Sequence, residues 1–492
     1  MLMGKAQNSA KLQVRQYGFL SFIFALAVFV LPVDWISGPP ILGEFSLMSS
    51  FYILLPLVTV AFPLLMVEKS RGPLAVELRW LVGLMTFSFI MSSITNMPDI
   101  LEATLKGRTG LNKVITTFAS FFFGVVLMFV TAKFAQIPEF YKKTITKPIC
   151  LGLLLVFCVS SIELAGWWLP FMSDLYLSLS NLFRSGSVIY QIHDGRLRGV
   201  SGEPATMAIY LGFSLVWVYG RWAMARKPLD KWLSFFFLWE TVLLFILTSA
   251  RTAYVILLGM GVFAIFLPWL LKAKPAHAPK SFPMLWSSLF LVLFACLFFL
   301  SRSEYLAKII LRGDSQSNLS RFISNYTAFG LFSENPIFGT GPGQYAFNAR
   351  YALPTWGWGS KEIMGWFTDL RKSWPPVFSL PARLAAELGF LGVAAWYFPL
   401  LQLLRRLLYV VKTEQARMQK RPALGGALLL GMVYVLLQGI SQESFRFFES
   451  WILLGVVSAY VGIKEPETYF NPEPQEPKER LIKVKPLLHK SA

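Results

Sequence analysis

The stretch Lys231–Leu271, KWLSFFFLWETVLLFILTSARTAYVILLGMGVFAIFLPWLL, decides the fold. It holds two apolar runs, at about 231 to 249 and 251 to 271, and each supplies the roughly 20 residues an α-helix needs to cross a bilayer. Between them lies only Leu247-Thr248-Ser249-Ala250-Arg251-Thr252, so the chain turns back at the edge of the hydrocarbon. That leaves Arg251 at an apolar boundary, where a guanidinium is costly unless it finds a partner or reaches the headgroups. Glu240, about 16 Å deeper by helical rise, is expected to pair inside a helix bundle.

Ten further runs repeat the pattern, at about 17 to 33, 46 to 66, 79 to 97, 113 to 132, 148 to 165, 204 to 221, 283 to 301, 381 to 404, 423 to 440 and 446 to 463. The chain has 492 residues, 55% of them hydrophobic and 15% charged, which is far from a soluble profile. The fold class is therefore all-α: a polytopic membrane protein of about 12 spans, with a membrane domain over 1–463. The net charge of +19 would suggest nucleic acid in a soluble chain. Here short basic loops that orient the spans account for most of it, so no nucleic-acid partner is expected. Three cysteines, Cys150, Cys158 and Cys296, all fall inside apolar runs and support neither a disulfide framework nor a thiolate metal site.

Lysines concentrate in every second gap, as at Lys142, Lys143 and Lys147, which puts those gaps and both termini in the cytoplasm. Of 46 basic residues, the Arg:Lys balance is about 10:19 inside and about 12:5 outside. A guanidinium forks onto phosphate with two parallel hydrogen bonds, whereas lysine offers a point charge, so the external excess of arginine points to a phosphate-bearing ligand. Pairing with acids or anchoring at headgroups is the plainer alternative.

Two external gaps are long enough to hold structure, 166–203 and 302–380, the second between spans nine and ten. In the larger one, Leu319, Phe322, Ile323, Tyr326 and Phe329 follow helical spacing after the capping-prone Asp314–Asn318, with Gly330 placed to end the helix. Its apolar face is expected on the membrane domain, with Arg321 on the flank. Ile363, Met364, Trp366, Phe367 and Leu370 form a second short amphipathic piece. The Pro-, Glu- and Lys-rich 464–492 reads as a disordered cytoplasmic tail.

Three segments carry chemistry. Gly195-Arg196-Leu197-Arg198-Gly199-Val200-Ser201-Gly202-Glu203-Pro204 opens span six, with Pro204 suited to a first helical turn and Glu203 at its positive end. The second is the hairpin with Arg251. The third, Glu334-Asn335-Pro336-Ile337-Phe338-Gly339-Thr340-Gly341-Pro342-Gly343-Gln344-Tyr345, has alternating glycines but lacks the strand and helix of a dinucleotide fingerprint. It reads as a rigid turn shaping a site floor, or as a plain loop turn. Its Gly339, Gly341, Gly343 and Tyr345 join Arg196 as candidate substrate-binding residues.

Taken together, "RLRGVSGEPATMA", "LTSARTAYV", "ENPIFGTGPGQYAF" and "ARLAAELGFLGVAAW" resemble the O-antigen polymerase and O-antigen ligase superfamily of bacterial inner-membrane glycosyltransferases. The resemblance covers residues 195 to 400 and implies sugars linked to undecaprenyl diphosphate, handled at the periplasmic face. It maps the diphosphate-clamping arginines onto Arg198, Arg251, Arg312 and Arg321. Ligases of this superfamily commonly carry a His-Asn pair shortly before the Glu-Leu-Gly of span ten. Here Phe378 and Ser379 stand ahead of Glu387, which moves a polymerase of O-antigen or exopolysaccharide repeat units ahead of a ligase acting on lipid A core.

The implied chemistry is metal-independent, inverting glycosyl transfer, with guanidinium groups stabilising the departing diphosphate. No metal or other cofactor is expected, since no His/Asp/Glu cluster has metal-ligand spacing. Glu203, or less readily His193, is the external candidate to take the acceptor's proton. Partners implied are the undecaprenyl-diphosphate-linked oligosaccharide, membrane lipids and a chain-length regulator. A 12-span transporter would place its site near the midplane on broken helices, and a lipid flippase would leave glycan length unchanged.

Overall fold

The computed structural model describes residues 18–36, 38–67, 74–137, 139–183, 195–271, 316–368, 374–418 and 422–463. Among these, eleven of the twelve apolar runs are helical. They form α1 (Gly18–Phe29), α2 (Ser49–Val67), α3 (Val76–Thr95), α5 (Gly110–Phe134), α6 (Lys147–Gly166), α8 (Pro204–Met224), α9 (Pro228–Leu247) and α10 (Arg251–Leu270). The large loop contributes α11 (Gln316–Glu334), α12 (Tyr345–Ala352) and α13 (Lys361–Phe367), and the bundle closes with α14 (Leu380–Met418), α15 (Ala423–Ser441) and α16 (Phe448–Gly462). Short α4 (Met97–Glu102) and α7 (Pro170–Phe183) cap the loop end. The run 283–301, Arg312, His193 and the tail 464–492 lie outside the described residues.

Among the described residues, seven helices are long and apolar enough to cross a membrane. Trp80, Phe87 and Ile94 on α3 and Val262, Ile265 and Phe266 on α10 stand exposed on the outside. Large apolar surfaces of this kind suit a lipid environment. Inside, small residues let helices approach: a Cβ at Gly124 of α5 would meet the Trp451 ring of α16 at 2.2 Å, and one at Gly455 would meet the Met128 carbonyl at 2.6 Å. Close approach through small residues is how membrane helices associate where lipid tails remove most of the hydrophobic drive. Glu240 is buried, and both its carboxylate oxygens lack a hydrogen-bond partner among the described residues, contrary to the pairing expected for it.

The helix of span ten runs well past its apolar stretch. The expected boundary near residue 404 is overrun because Arg405, Arg406, Lys412 and Glu414 are good helix formers, and α14 reaches Met418. Arg406 anchors this extension on Glu77 at 3.0 Å.

Near its start α14 breaks at Gly389 (φ 66°, ψ −161°), and the break receives the Gly-rich turn of the large loop. Backbone groups released by the kink must be paired elsewhere. The Phe390 N–H donates to the Pro336 carbonyl (2.8 Å), while the Thr340 and Gly341 N–H groups donate to the Ala386 and Glu387 carbonyls (2.9 Å each). The Glu387 side chain then accepts from the Gly343 N–H (2.8 Å) and from Arg383 (3.2 Å). Gly339 (φ 65°) lies so close that a Cβ would sit 2.4 Å from the Glu387 carbonyl carbon. Turn and kink therefore form one joint that clamps the large loop onto the bundle.

The loop helix α11 corrects two expectations. It continues through Gly330 to Glu334. Its buried face is Ser320, Ile323, Ser324, Thr327, Ala328 and Leu331, while Phe322 (61% exposed), Tyr326 and Phe329 face outward. The helical spacing holds but the face is rotated, because small residues give closer contact with α14 than bulky aromatic ones.

Gly339→Ala is expected to destabilise the joint by at least about 1–3 kcal/mol, the cost of forcing a side chain into a left-handed backbone, before the clash with Glu387 is added. A lower apparent Tm in detergent, with protease sensitivity appearing first in the large loop, is the expected outcome. An unchanged melt would remove the joint from the account.

Candidate active site: an arginine cluster at the loop end

The site begins at the turn between α9 and α10. Three residues, Thr248, Ser249 and Ala250, reverse the chain, with Ser249 in the left-handed region (φ 48°). The Thr248 hydroxyl donates to the Phe245 carbonyl (2.7 Å) and accepts the Ala250 N–H (3.4 Å). Arg251 follows as the first residue of α10, without slack to move away.

The segment Gly195–Glu203 is sewn beside this turn. The Leu197 N–H donates to the Leu247 carbonyl (3.1 Å), and the Arg196 guanidinium to the Ser249 carbonyl (3.4 Å). The buried Glu163 of α6 accepts the Arg198 N–H (2.9 Å) and the Gly199 N–H (2.6 Å). Gly199 itself has φ 57°, and a Cβ there would lie 2.6 Å from the Ser160 hydroxyl. Beyond it, the Ser201 hydroxyl donates to the Pro32 carbonyl (2.8 Å), and Asp34 accepts the Gly202 N–H. Glu203 then caps α8 in an extended conformation, with its side chain exposed and not folded back on the helix.

The large loop supplies the third guanidinium. Arg321 of α11 lies over the Phe378 ring, 4.5 Å from its centroid, a cation–π contact. Its Nε is buried and has no hydrogen-bond partner among the described residues. Burial, and next the charge of Arg251, hold its pKa below the ordinary arginine range; Glu203 and Glu362 oppose this, and Arg196 adds to it. Arg251 in turn feels the like charge of Arg196 and the opposite charge of Glu362. Glu362, in the first turn of α13, accepts the Ser320 hydroxyl at 2.6 Å.

Arg196, Arg251 and Arg321, with Glu203 and Glu362, thus share one electrostatic neighbourhood although they come from three separated parts of the chain. Like charges held together by a rigid frame, with a buried N–H left over, create demand for an anion.

Residues 233–397 match the O-antigen ligase family model, Wzy_C. The match covers about a third of the chain and supports a likeness to the O-antigen polymerase and ligase superfamily. No curated protein and no solved structure matches the chain. The family segment contains Arg251, Arg321, Glu362 and the joint, whereas Arg196, Arg198 and Glu203 precede it.

Of the residues singled out in the sequence, Arg196, Arg251, Arg321 and Glu203 come together. Arg198 is buried at 5% exposure, with its backbone on Glu163. Arg312 lies outside the described residues. Gly339, Gly341, Gly343 and Tyr345 are placed differently from the substrate-binding role expected for them. The glycine N–H groups are spent on Asn335, Glu387 and the Glu387 carboxylate, and the buried Tyr345 hydroxyl donates to the Ser324 carbonyl (3.0 Å). These residues build the frame. Glu362 was missed by sequence reasoning because one acid in a short surface helix carries no signal, and Phe378 was noted only as a departure from the ligase pattern.

Replacing Arg321 or Arg251 by lysine keeps the charge and removes the fork. Each is expected to slow glycan transfer at least tenfold, the loss of one charge-assisted hydrogen bond of about 1.5–3 kcal/mol, with expression unchanged. Phe378→Leu removes only the ring face and is expected to cost about two- to fivefold. Near-normal transfer rates from both lysine variants would contradict the assignment.

Proposed function

We propose that this protein polymerises O-antigen or exopolysaccharide repeat units at the periplasmic face of a bacterial inner membrane, moving glycan from undecaprenyl diphosphate to the acceptor end of another lipid-linked unit. The observation that carries the clamp is the convergence of Arg196, Arg251 and Arg321 on one neighbourhood with the buried Arg321 Nε left unpaired. Guanidinium groups present five N–H donors each in fixed forks that match phosphate oxygens. Both termini then lie in the cytoplasm, as the lysine-rich gaps require.

In the transfer step the acceptor hydroxyl oxygen attacks the anomeric carbon from the face opposite the diphosphate. The bond from that carbon to the diphosphate oxygen breaks, and its electron pair leaves with undecaprenyl diphosphate. Negative charge grows on the leaving oxygen, and the arginines, already oriented, stabilise it more than they do the substrate. Glu203, an exposed carboxylate whose charge reaches Arg321, takes the acceptor proton. The ring of Phe378 lies under Arg321 where ligases commonly carry histidine, and an apolar ring cannot serve as a base. This favours the polymerase, whereas the family matched over residues 233–397 is described as O-antigen ligase and is shared by both readings.

The decisive experiment supplies the purified protein, in lipid nanodiscs, with lipid-linked repeat units alone. Ladders of lengthening lipid-linked glycan are the expected result. Transfer that appears only when lipid A core is added would make the protein a ligase, and unchanged glycan length with movement across the bilayer would make it a flippase.

A further inference from the structure

A second group of cations stands apart from the arginine cluster. At the loop end, a cavity of about 260 Å³ opens between α2, the start of α5 and the turn before α16. Arg108, Lys113 and Arg383 line one part of it, and no carboxylate is among its lining residues. Glu387, which pairs with Arg383, is already bonded to the Gly343 N–H. Lys113 is only 8% exposed, so its charge is held in a partly desolvated place.

The rest of the wall is aromatic. Phe45 stacks on Phe51 (4.6 Å, 1° between planes), and Phe123 packs against both at 5.5 and 5.1 Å. Leu55, at the same cavity, is exposed to the outside of α2, where lipid lies. A cationic head end beside an apolar side open to lipid has the polarity of a phosphate-headed lipid. The volume is just under the ~300–1,000 Å³ of pockets that enclose whole small ligands, so a headgroup and its first carbons fit while the chain lies in the bilayer.

The two cation groups are joined by one strap, Trp374-Pro375-Pro376-Val377-Phe378. The Trp374 ring faces Lys113 (4.6 Å) and Arg108 (5.5 Å), while the Phe378 ring faces Arg321. Two prolines favour an extended strap, and four steps at about 3.1 Å correspond to roughly 12 Å between the backbone positions of Trp374 and Phe378. Glu443 accepts the Val377 and Phe378 N–H groups, and Arg383 donates to the Glu443 carbonyl (3.0 Å), which ties the strap to the second cavity.

We infer that the cavity lined by Arg108, Lys113 and Arg383 binds the phosphate head of a second lipid beside the one clamped by the arginine cluster. It rests on the polymerase reading only in that two lipid-borne chains must then lie side by side. The strap is the spacer between them, with an aromatic ring turned to the cations of each.

Native mass spectrometry of the full chain, titrated with undecaprenyl phosphate, tests this by counting retained lipids. Two equivalents are expected for the unaltered protein. Arg108→Glu combined with Lys113→Glu should retain one, and Arg251→Glu should retain the other, so each variant's surviving equivalent is its own control for folding. Should the double variant not fold, Arg108→Gln at its exposed hairpin position should raise the concentration for half-occupancy of the second equivalent about tenfold and leave the first unchanged. A single equivalent in the unaltered protein, or no response to either change at Arg108, overturns the inference. So does displacement of the second equivalent by phosphatidylglycerol or inorganic phosphate at concentrations equal to the probe. Two equivalents without ladder formation would leave the cavity assigned and the polymerase reading refuted; ladders with one equivalent would do the reverse.

Discussion

Three guanidinium groups near one another at the edge of an apolar bundle repel, and nothing in their own chemistry keeps them there. What holds them is backbone pairing. At the α14 kink, carbonyls released by Gly389 accept N–H groups from the Thr340–Gly341 turn, and Glu387 closes the joint through Gly343 and Arg383. Because that joint fixes the large loop, Arg321 is held within electrostatic reach of Arg251, whose own hairpin has no slack. On the opposite flank Glu163 does the equivalent work for Gly195–Glu203. Pre-set charge of this kind need not reorganise during reaction, which is the condition under which electrostatic stabilisation of a leaving group is most effective.

Much of the fold was legible because bilayer thickness dictates helix length, and the described helices begin and end within a few residues of the expected runs except at the far end of α14. Where the reading erred, the competing forces are identifiable. Arg405 and Arg406 looked like a loop by charge but are helix formers, so α14 continues. On α11 the bulky Phe322 and Tyr326 looked like the buried face, yet Ser324, Thr327 and Ala328 occupy it because small side chains allow close packing.

The site was legible in part, and the part is instructive. Arg251 betrayed itself by sitting in a three-residue turn between two spans. Arg196 and Arg321 were visible as arginines in gaps where orientation does not need them. The glycines of Gly339–Gly343 read as a rigid turn shaping a site floor or as a plain loop turn, and sequence cannot say what such a turn packs against; here it is α14. Glu163 and Glu443, which position loops through their carboxylates, sit in contexts that read as ordinary helix and linker residues. Their partners are remote in sequence, and nothing local marks them.

The strap Trp374–Phe378 links these observations, since one short extended segment presents an aromatic ring to each cation group. The central claim is that the guanidinium groups of Arg196, Arg251 and Arg321 jointly hold a lipid diphosphate. Electron cryomicroscopy of the protein in nanodiscs with a non-transferable lipid diphosphate tests it most directly. Diphosphate density within hydrogen-bonding distance of Arg251 and Arg321 is the expected result. Density seated elsewhere, with those side chains turned to protein acids, would contradict the account.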